Sequence, residues 1–209
     1  MGAFHGNLTY SLYFVLDEPE AGFRERFIES LRTHAFRDVD VEAGKDRSLG
    51  WTVMGDPFDV DLTWERVFFD PYVVVSLRED TIKVPPNALK AHLQKREREL
   101  LKASGKERLD KGERTALKAD VLDQLRRRAL PDIRSYDVVW HTVEGTLRLW
   151  STNKRLKELF EDHVEKTWGL RIVPAAPYTY VMRRAKADEE AAMLGLDPAD
   201  FTGASGGDA

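Results

Sequence analysis

Cysteine is absent from the 209 residues, which excludes disulfides and thiolate metal sites and suits a reducing cytosol. No long apolar run is present either. The longest uncharged stretch near the start, Asn7 to Leu16, falls far short of the ~20 residues that span a bilayer. The opening MGAFHGNLTY has no basic region followed by a long apolar run, so no signal peptide is read. His5 and Gly6 do not complete a myristoylation motif after Met1-Gly2. A soluble, intracellular protein is expected. Catalytic signatures are missing as well. There is no Walker A or dinucleotide loop, so ATP or NAD use has no support, and no cofactor is expected. His5, His34, His92, His141 and His163 show neither HxH nor HExxH spacing. Ser48 and Ser104 lack a nucleophile-elbow context. Zinc-finger, RNP and helix-turn-helix signatures are absent, so nothing points to sequence-specific reading of nucleic acid.

What is present is an uneven charge. Residues 83–128 hold 14 Lys and Arg against 7 Asp and Glu, whereas residues 1–82 hold 8 against 16. Residues 129–209 hold 10 against 13, so a basic middle sits inside an acidic chain of net charge −4. A localised anion-binding face follows from this segregation, and the leading anion is a nucleic-acid backbone.

The pattern of the elements predicts an α+β fold with mixed or antiparallel sheets and packed helices. Strands are expected at Leu8–Leu16, Asp38–Val41, Ser48–Met54, Tyr72–Leu77, Ser135–Thr142, Thr146–Trp150, Leu170–Val173 and Tyr178–Met182. Glu79-Asp80 reads as a tight turn into Thr81–Val84. Helices are expected from Asp17 to about Phe36, and from Ser151–Asn153 to a stop at Gly169. Between them, Pro85-Pro86 opens a helix to about Ala103, Ser104-Gly105 breaks it, and a second helix runs from Lys111 to Leu130. The chain thus divides into two core halves, residues 1–84 and 132–184, around an inserted basic helical hairpin at 85–131. Residues 185–209 are expected to hold a short helix, Glu189–Leu196, and a disordered tail.

Helical phasing sorts the basic residues. At about 100° per residue, Leu89, Leu93 and Leu100 fall on one face of the first basic helix, with Lys95, Arg98 and Lys102 opposite. A solvated back face of an amphipathic helix is the plain alternative for each lysine. In the second helix Leu117, Val121, Leu122 and Leu125 form the stripe, yet Lys118 falls within its angular range. Arg126, Arg127 and Arg128 close that helix, where the macrodipole also favours cations. The candidate DNA-binding set is therefore Lys90, Lys95, Arg98, Lys102, Lys118, Arg126, Arg127 and Arg128. Arg148, Lys154, Arg155 and Lys157 are expected to extend the track near a helix N-terminus.

Two other classes stay open. Asp56, Asp59, Asp61, Glu65 and Asp70 form an acidic cluster that could hold Mg²⁺ in a nuclease, although a solvated strand face explains it more simply. His141 reads as a strand residue rather than a base. Alternatively, the basic hairpin could bind an acidic protein or pair with its own copy.

From Leu117, the segments LKADVLDQLRRRAL, VVWHTVEGTLRLW and GLRIVPAAP resemble the RdgC family of recombination-associated proteins. Gly50-Trp51 with Met54-Gly55, and SLREDTIKVP before a charged helix, match upstream in the same order, over about residues 8 to 177. The resemblance implies a non-enzymatic, cytoplasmic and nucleoid-associated homodimer. It would bind duplex and single-stranded DNA with little sequence preference and oppose the RecA recombinase. It places Lys118 and Arg128 at basic motif positions, and Gly50, Trp51, Trp140 and Gly145 at structural ones. Family members close a ring around the duplex and are longer. The part after about Pro177 has no counterpart to their C-terminal part, so an open clamp stands beside the ring.

Overall fold

The computed structural model describes residue 3, residues 9–17 and residues 23–183. One antiparallel sheet organises them. Its strands are β1 (Ser11–Val15), β2 (Arg47–Thr52), β3 (Phe68–Phe69), β4 (Tyr72–Thr81), β5 (Asp132–His141), β6 (Thr146–Leu149) and β7 (Ile172–Pro174). They lie in the order β2-β4-β5-β6-β1-β7, with β3 on β4 beyond the end of β2. The helices are α1 (Phe23–Thr33), α2 (Trp64–Val67), α3 (Pro86–Ser104), α4 (Lys111–Arg128), α5 (Lys154–Trp168) and α6 (Pro177–Met182). Strands from both halves of the sequence interleave in this sheet, and α3 and α4 fill the connection between β4 and β5.

Strand alternation puts Val73, Val75 and Leu77 of β4 on the same face as Val138 and Trp140 of β5. Tyr13, Leu147 and Leu149 continue that face, and α1 and α5 cover it with Phe27, Leu31, Leu156, Phe160 and Val164. Aromatic rings fill the gap between layers. Trp168 stacks on Phe27 and on Trp51, each at 5.1 Å between centroids, and Phe23 meets Trp140 edge-on at 5.6 Å. The buried Trp51 indole and Thr167 hydroxyl are tied in. Trp51 Nε1 donates to Thr167 Oγ1 at 2.9 Å, and that hydroxyl donates to the His163 carbonyl at 2.7 Å. Among the described residues, no helix is long and apolar enough to cross a membrane.

Three sequence expectations are corrected. Glu79-Asp80 is not a turn: β4 runs on to Thr81, and both carboxylates are buried in it. Their partners make this possible. Arg78 grips Asp80 with two bonds, at 2.7 and 2.6 Å, while Glu79 on the other face takes Arg47 at 3.3 Å and Arg155. Asp38–Val41 is a loop, and β2 is instead flanked by His34–Phe36. Trp51 N donates to the His34 carbonyl at 3.1 Å and Phe36 N to the Trp51 carbonyl at 2.9 Å. Tyr178–Met182 is helical, because Pro177 presets the first turn and Thr179 Oγ1 accepts from Ala176 N at 2.8 Å. The readings at residues 18–22, 189–196 and 202–209 lie outside the described residues.

The Phe36 segment crosses β2 so closely that position 50 has no room for a side chain. A Cβ on Gly50 would lie 2.4 Å from Phe36 Cα and 2.6 Å from its nitrogen. Gly50→Ala is expected to lower unfolding free energy by about 2 kcal/mol or more in urea titration. Parent-like stability in that variant would contradict the packing of Phe36 on β2.

Candidate nucleic-acid interface

The basic middle folds as an arm. Pro86 opens α3, and Gly105 ends it in the left-handed region at φ 66°. Asp110 then starts α4 with a reciprocal cap. Its side chain accepts from Glu113 N at 2.8 Å, and Glu113 accepts from Asp110 N at 3.0 Å. Leu109, Leu117 and Val121 are buried against Leu89, Leu93, Leu101 and Leu125, in a cluster distinct from the sheet core. No α3 side chain is fully buried, so the two helices form a thin layer with wet outer faces. Leu100, read on the apolar face with Leu89 and Leu93, is exposed, and Leu101 joins the cluster instead. Glu97 of α3 also reaches α4, where it binds Arg114 at 3.0 Å.

Ion pairing divides the arm's cations into two sets. Arg96 pairs with Glu99 at 3.2 Å, Lys106 with Glu113 at 2.5 Å, Arg114 with Glu97, and Arg127 with Asp123 at 2.9 Å and Glu42 at 3.8 Å. The Lys106 hydrogen bond, with that from Asp110 N, holds the Glu113 carboxyl below its ordinary value. Lys90, Lys95, Arg98, Lys102, Lys118, Arg126 and Arg128 have no carboxylate partner among the described residues. Arg127 alone among the eight expected residues is engaged with carboxylates.

The structure does not gather all eight on one surface. Lys95, Arg98 and Lys102 share an exposed side of α3, and Arg98 Nε caps the Gln94 carbonyl at 3.1 Å. Lys90 projects from α3 about 140° away from Lys95. Lys118 is exposed at the edge of the α4 stripe, next in phase to Leu125, which resolves its place in the apolar range. Arg126 is half-buried on the far side of α4. Arg128 is different: with Lys95 it lines a groove between the helices, floored by Val121 and Leu125. His92, Arg96, Glu99 and Gln124 complete the rim. Sequence reading missed His92 and Gln124. His92 is three residues before Lys95 and shares its side of α3, but only the pairing of the two helices brings Gln124 opposite.

The expected extension of the track is partial. Arg155 is occupied by Glu79, and Arg148 lies on the outer sheet face, paired in register with Val139. Lys154 remains exposed, and Asn153 caps α5 by accepting from Leu156 N at 3.1 Å.

The rival acidic cluster is folded around a guanidinium. Phe58 to Thr63 is a loop rather than a strand, turned by Asp56 accepting from Phe58 N and Asp59 from Asp61 N, both at 2.9 Å. Arg66 binds Asp59 and, at 3.3 Å, Asp61. The Arg66 hydrogen bond holds the Asp59 carboxyl below its ordinary value. Among the described residues, no group of three or more potential ligands could hold a metal. His141 accepts from Glu144 N at 3.0 Å and shapes the β5–β6 turn.

A second hollow, beside β2, is lined by His34, Arg37, Asp38, Asp40 and the buried His163. Burial, and then repulsion from His34 and Lys166, lower the His163 pKa to about 4.

The chain matches no protein-family model and no curated protein.

His163 sets a pH dependence of stability. The folded chain refuses a proton that the unfolded chain accepts below about pH 6.5, so stability falls as pH drops from there toward about 4. Between pH 7 and 4.5 the loss assignable to this group is about 2 kcal/mol. Urea titrations of parent and His163→Gln at both pH values should show the smaller loss in the variant. Equal losses would remove His163 as the cause.

Proposed function

We propose that this chain binds DNA without sequence preference, through the α3–α4 arm. One observation carries the reading: among the described residues, seven of the eight expected cations have no carboxylate partner, while Glu97, Glu99, Glu113 and Asp123 of the arm pair with Arg114, Arg96, Lys106 and Arg127. An ion-paired guanidinium must give up its partner to meet a phosphate. A solvated lysine only releases counterions, which is the main source of non-specific affinity. Long side chains spread around two helices favour backbone contact over base reading, because no single face enters a groove as a unit. The acidic remainder of the chain repels DNA and confines contact to the arm.

The RdgC resemblance extends the proposal. On that reading the chain acts as a homodimer at the nucleoid and limits RecA access to DNA, without catalysis of its own. The nuclease reading is weaker on this structure, because Arg66 occupies the carboxylates of Asp59 and Asp61. A metal ion would have to displace that guanidinium.

Binding to a labelled duplex should weaken steeply with salt. About six neutralised phosphates give a log–log slope of about −5. Lys118→Glu with Arg128→Glu should weaken duplexes of unrelated sequence by the same factor. No binding of parent protein to duplex or single strand at low salt would reject the proposal. Measured mass with and without the duplex tests the dimer.

A further inference from the structure

We propose that the groove between α3 and α4 seats a single phosphate, clasped by Lys95 from one helix and Arg128 from the other. This rests on the arm being the DNA-binding face. It adds a specific point of engagement to an otherwise diffuse track.

The two side chains come from different helices and line one concavity of about 220 Å³. A third cation on the rim, Arg96, is cancelled by Glu99 at 3.2 Å. Lys95 and Arg128 are the lining cations left uncommitted among the described residues. The floor is apolar: Val121 is buried and Leu125 partly so, and both belong to the arm's own core. An anion there meets cations from both helices, whereas one on an open helix face meets those of a single helix. The Gln124 side-chain amide, on the rim, donates to Asp120 at 3.0 Å. By contrast, Lys90 and Lys118 lie outside the concavity, and each would meet a phosphate alone.

A clasp and a track differ in how substitutions combine. Cations that bind separate phosphates act independently, so their effects multiply. Two that hold one phosphate lose most of the benefit together.

The test is a mutant cycle on duplex affinity at fixed salt, with the full chain. Lys95→Gln and Arg128→Gln should each weaken binding by roughly tenfold, and the pair by roughly ten- to twentyfold rather than a hundredfold. Lys95→Gln with Lys118→Gln should multiply. In parallel, inorganic phosphate titrated into the free protein should move the Gln124 amide and His92 ring NMR signals, and Arg128→Gln should abolish the movement. Arg128→Lys should restore part of it. A helix-stabilising role alone for Arg128 would instead lower the melting temperature of α4 with multiplicative binding effects, and would overturn the clasp. Duplex binding by the parent with multiplicative effects and unmoved NMR signals would overturn it too, leaving the general proposal standing. Phosphate-dependent signals without any DNA binding would reject the DNA reading and retain the anion seat.

Discussion

The structure turns on a buried charge pair near the end of β4, one of its two ten-residue strands. Arg78 and Asp80 face the same side of β4, both almost wholly buried, and close a two-bonded fork. Arg78 also donates to the Pro57 carbonyl at 3.0 Å and lies over the rings of Phe36, at 3.9 Å, and Phe58, at 4.9 Å. One guanidinium thus ties β4 to two loops at once. Burial of charge is costly in itself, and such a pair need not stabilise more than apolar packing would. Its effect here is on register. A slip of one residue would turn Arg78 and Asp80 into the helix-covered core and expose Val73, Val75 and Leu77. Because β4 pairs with β5 over its whole length, that register also sets where the arm leaves and re-enters the sheet.

The same arrangement explains what could be read from sequence. Helices α3, α4 and α5 have strong local signals, namely Pro86, Gly105, Asp110 with Glu113, Asn153 and Gly169, and their limits were legible to within a few residues. The apolar alternation of β4 was legible only as far as Leu77. Beyond it, Arg78-Glu79-Asp80 resembles a surface turn until the distant partners Arg155, Arg47 and Pro57 are known. Tyr178–Met182 failed for a related reason. Its aromatic and β-branched composition favours a strand, but Tyr180 packs on Phe14 from a helix, at 5.8 Å between rings. Local composition loses wherever a tertiary contact satisfies the residue better.

The charge excess of residues 83–128 was visible from composition, and its division into paired and unpaired cations was not. Spacing along one helix explains Arg96–Glu99 and Arg127–Asp123. Arg114–Glu97 and Lys106–Glu113 depend on how the two helices meet. Lys118 shows the limit from the other side. Its phase marked it as anomalous, and the structure places it on the rim of a stripe narrower than the sequence pattern implied.

The arm's separate core has a thermodynamic consequence. Leu109, Leu117 and Val121 are its buried apolar residues among those described, against a much larger set between sheet and helices. Apolar burial is the main force resisting local opening, so the arm forms a cooperative unit of lower stability than the sheet it grows from. Binding energy gained on the arm is linked first to that local equilibrium: a ligand held there slows opening of α3 and α4 while leaving the opening of the sheet almost unchanged. Amide exchange would register occupancy of the arm even where global melting does not.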